Sequence, residues 1–291
     1  MVINKHGSFY LRSGWGTKII QAVEADNMIF SPANEQLAVD KIGLGRVMIK
    51  ALRYWADASG LTEEEKVRGG IAERRTTLFD LLETKDRYFQ KPGSLLLLHR
   101  NIALNKENAT AWYWAFNEMD RQTFTKEEFV DGLHYFLAVN GMTIKKAAVD
   151  KEFNCFKNTY IGDKKFDIRT AMDEDTYPLF APLHLLRVNE EKKFEKTYLT
   201  KAEMPLLILI YAIAMDNPEE SDHRDQISID KLMEEKRQVG KYFPMRYSKL
   251  IDMLLEAENK KLLTLNNNFG NRFIEFSNVQ YDSLLDEYYM E

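Results

Sequence analysis

Apolar and polar positions follow a helical period between Gly43 and Leu61. Apolar residues recur three and four positions apart, which is the spacing of one face of an α-helix. The predicted apolar face consists of Val47, Met48, Ala51, Leu52, Tyr54, Trp55 and Ala58. The opposite face carries three cations, Arg46, Lys50 and Arg53. A helix that is apolar on one side and basic on the other can lie along a phosphate backbone, and a solvated charged face is the alternative interpretation.

A second, shorter helix is predicted immediately before the basic one. Ser31 and Pro32 form a typical helix start, and residues 34–40 continue with helical spacing. A glycine-containing turn at residues 42–45 separates the two helices. This order predicts a helix-turn-helix, in which the second helix contacts DNA. Many helix-turn-helix units serve only for packing or dimerisation, and that is the alternative.

The residues after the basic helix complete a predicted N-terminal domain. Residues 62–66 are acidic and predict an exposed turn, and residues 68–75 predict an irregular wing. A helix at residues 78–89 ends before Pro92, where we place the first domain boundary. The predicted domain, residues 1–92, is therefore winged-helix-like.

Residues 93–200 predict a helical middle domain. The apolar run at residues 94–100 fits either a buried strand or the start of a core helix. An aromatic helix over residues 109–119 is typical of a core, and base stacking is the less favoured alternative. Thr125 and Glu128 have the spacing of a capping box at the start of the next helix.

The C-terminal segment, residues 201–291, has the clearest pattern. Three helical segments, a short strand at residues 227–229 and two β-type runs around an Asn/Gly turn are predicted there. These are the elements of a winged helix, with Pro244 opening the third helix. The cations expected to meet phosphates are Arg246, Lys249 and Arg272. A domain that contacts protein instead is the alternative.

Composition favours a mainly α protein of the α+β class, with winged-helix or helix-turn-helix units at both ends and a helical middle domain. The 291 residues are 45% hydrophobic and include only 14 glycines and 7 prolines, which argues against disorder and an all-β fold. The formal net charge is −5. Non-specific nucleic-acid binders are usually basic, so this charge argues against a protein that coats DNA and leaves room for a local basic patch.

Cysteine usage and hydropathy predict a cytoplasmic protein. Cys155 is the only cysteine, which excludes an intramolecular disulfide and a cysteine-rich zinc site. The first residues lack the apolar core of a signal peptide. The longest apolar run, residues 204–215, is shorter than the about 20 residues that span a bilayer. We therefore expect no membrane partner.

The sequence contains no clear catalytic motif. It has no phosphate-binding loop of the GxxxxGKS/T type, and its five histidines are scattered. His99 fits a core histidine better than a ligand, and Cys155 fits a buried, inert thiol. The consecutive acids Asp173, Glu174 and Asp175 could bind a metal as in a nuclease, although a solvated loop is their more usual role. We predict no catalytic residue, no metal and no cofactor.

Several motifs occur together along the first two thirds of the chain. They are Phe9–Trp15 with Lys18, Leu44–Trp55, Leu97–Arg100, Trp112–Asn117, Cys155–Phe156 with Thr159–Tyr160, and Glu174–Asp175 with Pro178–Leu179. As a set they resemble a bacterial family of unknown function. That family occurs beside PAPS-reductase-like sulfur-transfer proteins, in gene neighbourhoods for DNA phosphorothioate modification and phage defence. The resemblance covers residues 6–190, with Gly16 standing where a leucine-like residue is usual, and it implies a context without a mechanism.

Three hypotheses follow from these observations. The first, which we favour, is a non-enzymatic accessory protein of a phosphorothioate-modification and phage-defence system that binds double-stranded DNA. Its predicted DNA contacts are Arg46, Lys50, Arg53, Arg246, Lys249 and Arg272. The second is a protein-interaction scaffold or regulator that recruits the sulfur-transfer machinery without binding DNA. The third is an enzyme such as a metal-dependent nuclease that uses Asp175.

Overall fold

Helices make up most of the fold, and small antiparallel sheets accompany them, so the protein is of the predicted α+β class. The computed structural model describes residues 1–161, 177–218, 226–268, 271–277 and 281–290. The chain divides into two compact units, Met1–Lys196 and Thr197–Glu291. The finer division into domains 1–92, 93–200 and 201–291 stays a prediction.

Three α-helices precede the first strand. They are α1 (Trp15–Ala25), α2 (Glu35–Ile42) and α3 (Arg46–Ala58). Trp15 and Trp55 are fully buried, which anchors α1 and α3 in one core. Gly43 ends α2 with a φ of 74°, a left-handed conformation that glycine adopts without a steric penalty. The predicted pair of helices joined by a glycine turn is therefore present.

An antiparallel hairpin follows α3. Its strands are β1 (Thr62–Val67) and β2 (Gly70–Arg75), and they pair in continuous register from Thr62 with Arg75 to Val67 with Gly70. The predictions of an exposed turn and an irregular wing are therefore wrong for these residues. The acidic run in β1 has low β-propensity and no apolar alternation, so the sequence pattern does not indicate a strand. Pairing with β2 and packing against α3 stabilise it instead.

The rest of the first unit is helical, with one small sheet. Its helices are α4 (Thr77–Lys85), α5 (Pro92–Leu104), α6 (Thr110–Tyr113), α7 (Lys126–Val139) and α8 (Lys146–Tyr160). Its strands are β3 (Thr123–Phe124), β4 (Leu186–Val188) and β5 (Phe194–Lys196), antiparallel in the order β3-β5-β4. A short π-helix, Trp114–Glu118, continues α6. Of the two alternatives for residues 94–100, the structure shows the core helix.

Aromatic side chains fill the core of the first unit, as the pattern over residues 109–119 predicts. The rings of Trp55 and Trp112 meet edge to face with centroids 5.2 Å apart. Phe116 and Phe156 continue the same cluster, and all four side chains are at most 2% exposed. Burial of this aromatic surface is a main source of the unit's stability.

A buried polar pair ties the first residues of the chain to α8. The Nε2 atom of His6 lies 3.0 Å from an Oε2 atom of Glu152, and both side chains are at most 1% exposed. The backbone N–H of Asn4 donates to the same oxygen at 2.6 Å. The backbone N–H of Ser8 donates to Nδ1 of His6, so Nε2 is the nitrogen that donates to Glu152.

The predicted capping box at the start of α7 is confirmed. The hydroxyl oxygen of Thr125 accepts a hydrogen bond from the backbone N–H of Glu128 at 3.2 Å. The carboxylate of Glu128 accepts one from the backbone N–H of Thr125 at 2.8 Å. Two otherwise unpaired donors at the helix start are thereby satisfied.

The second unit alternates helices with a three-stranded sheet. In chain order it contains α9 (Leu206–Asp216), β6 (Ile227–Ser228), α10 (Ile229–Glu234), α11 (Val239–Tyr242), α12 (Tyr247–Asn259), β7 (Leu263–Asn268), β8 (Asn271–Phe276) and α13 (Tyr281–Met290). The strands are antiparallel in the order β6-β8-β7, which confirms the predicted hairpin. Helix α12 begins three residues after Pro244, whose carbonyl accepts a hydrogen bond from the N–H of Leu199. No helix within the described ranges is both long and apolar enough to cross a lipid bilayer.

Candidate nucleic-acid interface

Helix α3 presents Arg46, Lys50 and Arg53 on the side away from its core contacts, as their spacing predicts. Arg46 and Lys50 are 68% and 67% exposed, whereas Arg53 is only 21% exposed. The opposite face packs into the unit with two departures from prediction: Val47 is 57% exposed, and Ile49 is buried. The three cations therefore differ in environment, although their spacing makes them look equivalent.

Arg46 and Lys50 share one carboxylate. Glu35, the first residue of α2, places Oε1 3.9 Å from Nε of Arg46 and Oε2 3.4 Å from Nζ of Lys50. Arg46 also donates a hydrogen bond from Nη2 to the side-chain oxygen of Gln36 at 2.9 Å. Part of the positive potential of α3 is therefore neutralised within the protein.

Arg53 joins α3 to the hairpin. Its Nε donates to Oε1 of Glu64 in β1 at 2.7 Å and lies 3.7 Å from Oε1 of Glu73 in β2. A guanidinium that is partly buried between two carboxylates is engaged in holding the fold. Of the three predicted contacts on α3, Arg53 is thus the least available to phosphate.

Glu73 is a buried carboxyl group in β2, with a side chain only 1% exposed. Its Oε2 accepts a hydrogen bond from the hydroxyl of Thr62 at 2.7 Å. Burial raises the pKa of Glu73 to about 7, and Glu64 adds to this effect, while Thr62 and Arg53 oppose it. Glu73 therefore changes charge close to neutral pH.

The hairpin itself is not a basic wing. Its strand β1 carries three exposed glutamates, Glu63–Glu65. The cations of β2 are already paired, Arg74 with Glu63 and Arg75 with Asp80 and Glu83. An acidic strand beside paired arginines is a poor surface for phosphate.

A cavity of about 500 Å³ opens beside α3 and the hairpin, and its lining includes Lys5, Tyr54, Asp57, Glu63 and Asn108. Asp57 accepts a hydrogen bond from the side-chain amide of Asn108 at 2.7 Å. Burial raises the pKa of Asp57, and the negative charge of Glu64 raises it further. The sequence pattern does not single out this group, because its members come from separate segments of the chain.

Arg246 and Lys249 lie at the start of α12. Arg246 is exposed and immediately precedes the helix, and Lys249 is half-buried in its first turn. The guanidinium carbon of Arg246 lies 5.7 Å from the centre of the Tyr198 ring, a cation–π contact. Neither cation forms an ion pair with any carboxylate in the described part of the chain.

Arg272 is the second residue of β8 and is exposed. It pairs with Asn267 of β7, close to the turn of the hairpin. It forms no ion pair within the residues that the structure describes. The three predicted DNA contacts of the second unit thus form no ion pair there, in contrast to the three predicted contacts of α3.

Candidate chemistry elsewhere is limited in the described ranges. His99 is fully buried with Nδ1 2.9 Å from the hydroxyl of Tyr160, which confirms a core position. Cys155 is buried, and burial raises the pKa of its thiol. The described residues contain no group of three or more His, Cys, Asp or Glu side chains able to hold a metal ion. The acids Asp173, Glu174 and Asp175 lie outside those residues, and the absence of a cofactor stays a prediction.

The family described as "Protein of unknown function (DUF4007)" matches residues 3–289 of the chain. The chain belongs to the DUF4007 family. This agrees with the coarser part of the resemblance seen in the sequence, a family of unknown function. No protein with a curated function matches this DUF4007 chain.

Two solved structures share the fold of this DUF4007 chain. One is the SspB crystal structure and the other is the magnesium ion-bound SspB crystal structure. For each, the TM-score is 0.83 and the sequence identity 23%, over 99% of this chain and 88% of the SspB chain. At this identity the likeness establishes the fold alone.

Proposed function

We propose that this chain is a DNA-binding accessory protein of a DNA phosphorothioate-modification and phage-defence system, and that it catalyses no reaction itself. Its partner in this proposal is double-stranded DNA, with sulfur-transfer or other defence proteins as further partners. The defence context is supported by the motif set between Phe9 and Leu179. The DNA-binding role is supported by the second unit.

The order of elements in the second unit supports a winged-helix interpretation. Helix α9 is followed by β6, by α10 and α11, by α12, and then by the β7–β8 hairpin. The sheet order β6-β8-β7 places the hairpin beside the short first strand. In this interpretation α12 is the recognition helix and the hairpin is the wing.

Three cations of the second unit lie at the places where a winged helix meets DNA, and they are the main support for this proposal. Arg246 and Lys249 flank the start of α12 and Arg272 lies near the hairpin turn, none of them ion-paired within the described ranges. No side chain within the described ranges caps the start of α12. The N–H groups at an uncapped helix start favour anions. These groups can therefore neutralise phosphates without first breaking internal ion pairs.

A paired substitution on one helix tests this site. We expect Arg246→Gln with Lys249→Gln to weaken binding to duplex DNA and to reduce the slope of log K against log salt by about one for each lost phosphate contact. Lys260→Gln with Lys261→Gln is the matched control. These lysines are exposed at the other end of α12, and their substitution removes the same amount of positive charge. Fluorescence anisotropy across a salt series gives both values.

Equal affinities and equal slopes for the two double variants would contradict the assignment to α12. A second titration with phosphorothioate-linked and unmodified duplexes of the same sequence tests the defence context. We expect tighter binding to the modified duplex, since a reader within this pathway must distinguish it. Identical affinities would remove modified DNA as the target and leave general DNA binding.

A protein-interaction scaffold is the second candidate function. The engaged cations of α3 and the acidic strand β1 favour it, because both suit protein contacts better than phosphate. Co-purification of a sulfur-transfer partner after nuclease treatment, with no binding of purified protein to DNA at low salt, would replace the DNA-binding proposal by the scaffold.

The magnesium-bound SspB structure is the reason to repeat the DNA assay with Mg²⁺. We expect intact DNA in the presence of the wild-type protein. Metal-dependent cleavage that Asp175→Ala abolishes would favour the nuclease hypothesis instead.

A further inference from the structure

Glu35 lies within ion-pair distance of two cations that the sequence predicts as DNA contacts. Its two carboxylate oxygens are 3.9 Å from Nε of Arg46 and 3.4 Å from Nζ of Lys50. We propose that Glu35 is an autoinhibitory group that masks the basic face of α3, so that a DNA phosphate must displace this carboxylate before Arg46 and Lys50 can bind it. This inference rests on the proposed function and concerns a different unit from the α12 site.

The position of Glu35 makes it a stable competitor. It occupies the first turn of α2, where a negative charge is favoured by the helix dipole, and it is 29% exposed. The hydrogen bond from Arg46 to Gln36 adds a second acceptor on the same helix. A carboxylate oxygen and a phosphate oxygen accept the same N–H donors, so one excludes the other at each cation.

The exposure of the cations makes the mask reversible. Arg46 and Lys50 are about two-thirds exposed, and both have long side chains that can turn from Glu35 towards a phosphate. Exposed ion pairs are weak, so displacement is possible wherever phosphate is concentrated. Duplex DNA provides such a concentration, because it carries one negative charge per about 1.7 Å of helix axis.

The test compares two neutralising substitutions of equal charge. We expect Glu35→Gln to tighten binding to duplex DNA by about two- to fivefold, the range that exposed ion pairs allow. Its salt slope should become steeper by about one to two, corresponding to up to two additional phosphate contacts. Glu65→Gln is the matched control, because Glu65 is exposed in β1 and forms no ion pair within the described residues. Thermal unfolding of both variants confirms that the fold is intact.

Heparin retention separates this inference from the proposed function, because it reports polyanion binding without requiring DNA as the natural partner. Later elution of Glu35→Gln than of Glu65→Gln supports masking, even where the wild-type protein does not bind DNA. Adding Arg46→Gln and Lys50→Gln to the Glu35→Gln protein should abolish the gain. Identical elution and identical DNA affinity of Glu35→Gln and Glu65→Gln would overturn the inference.

Discussion

Arg53 and Glu73 show how one contact changes the role of a residue. Arg53 has the helical spacing of a DNA contact, yet its guanidinium lies between the carboxylates of Glu64 and Glu73. Replacing Arg53 would break its ion pair with Glu64 and remove the cation beside the buried carboxyl of Glu73, so it would disturb the contact between α3 and the hairpin. A triple substitution of Arg46, Lys50 and Arg53 would therefore mix a binding effect with a folding effect, and substitution of Arg46 and Lys50 alone avoids this.

The pKa of Glu73 predicts a pH-dependent stability. The folded-state pKa, about 7, lies above the ordinary value of 4.5 for the unfolded chain, so ionisation opposes folding. The favourable contribution is fully present below pH 4.5 and is lost as pH rises through 7. Glutamine does not ionise. We therefore expect the free energy of unfolding of Glu73→Gln to rise, relative to that of wild type at the same pH, by about 3 kcal/mol between pH 4 and pH 8.

Chemical denaturation at a series of pH values measures this difference. Glu65→Gln is again the control, since Glu65 is an exposed glutamate on the same hairpin. If the difference in the free energy of unfolding between wild type and Glu73→Gln stays constant from pH 4 to pH 8, Glu73 does not titrate near neutrality in the folded protein.

At the residue scale, spacing along the sequence predicts which cations share a helix face. It does not predict which of them are free to contact phosphate. The face formed by Arg46, Lys50 and Arg53 follows from the helical period alone. Their partners Glu35, Glu64 and Glu73 lie on other elements, so only tertiary pairing reveals them. The same holds for the cavity beside Asp57.

At the element scale, local chemistry decides what the sequence can predict. The capping box of α7 can be predicted from the sequence because Thr125 and Glu128 are three positions apart and interact with each other's backbone. The β7–β8 hairpin is readable from its Asn-rich turn between apolar runs. The β1–β2 hairpin is not, because its acidic strand has no alternation and depends on its partner strand.

The capping box gives a prediction for α7. We expect Thr125→Ala to lower the free energy of unfolding by about 1 kcal/mol, because the N–H of Glu128 loses its acceptor. Thr125→Ser keeps the hydroxyl and should stay close to wild type. Urea denaturation of the two variants provides the comparison, and equal losses for alanine and serine would show that the hydrogen bond contributes nothing.

At the scale of the whole molecule, an acidic protein differs between its two units in how its predicted DNA contacts are paired. The net charge of −5 disfavours general attraction to DNA, and the α3 cations are partly neutralised by Glu35, Glu64 and Glu73. Of the six predicted DNA contacts, Arg246, Lys249 and Arg272 in the second unit are the ones that form no ion pair among the described residues. Such a protein should bind DNA through a few phosphate contacts, with moderate affinity and a measurable salt slope.

Binding of the wild-type protein to duplex DNA across a salt series tests this account most directly. We predict binding at low salt that weakens as salt rises, with a slope that corresponds to about two to three phosphate contacts and that falls when Arg246 and Lys249 are replaced by glutamine. Absence of binding at low salt would contradict it and would leave the protein-interaction scaffold as the function to pursue.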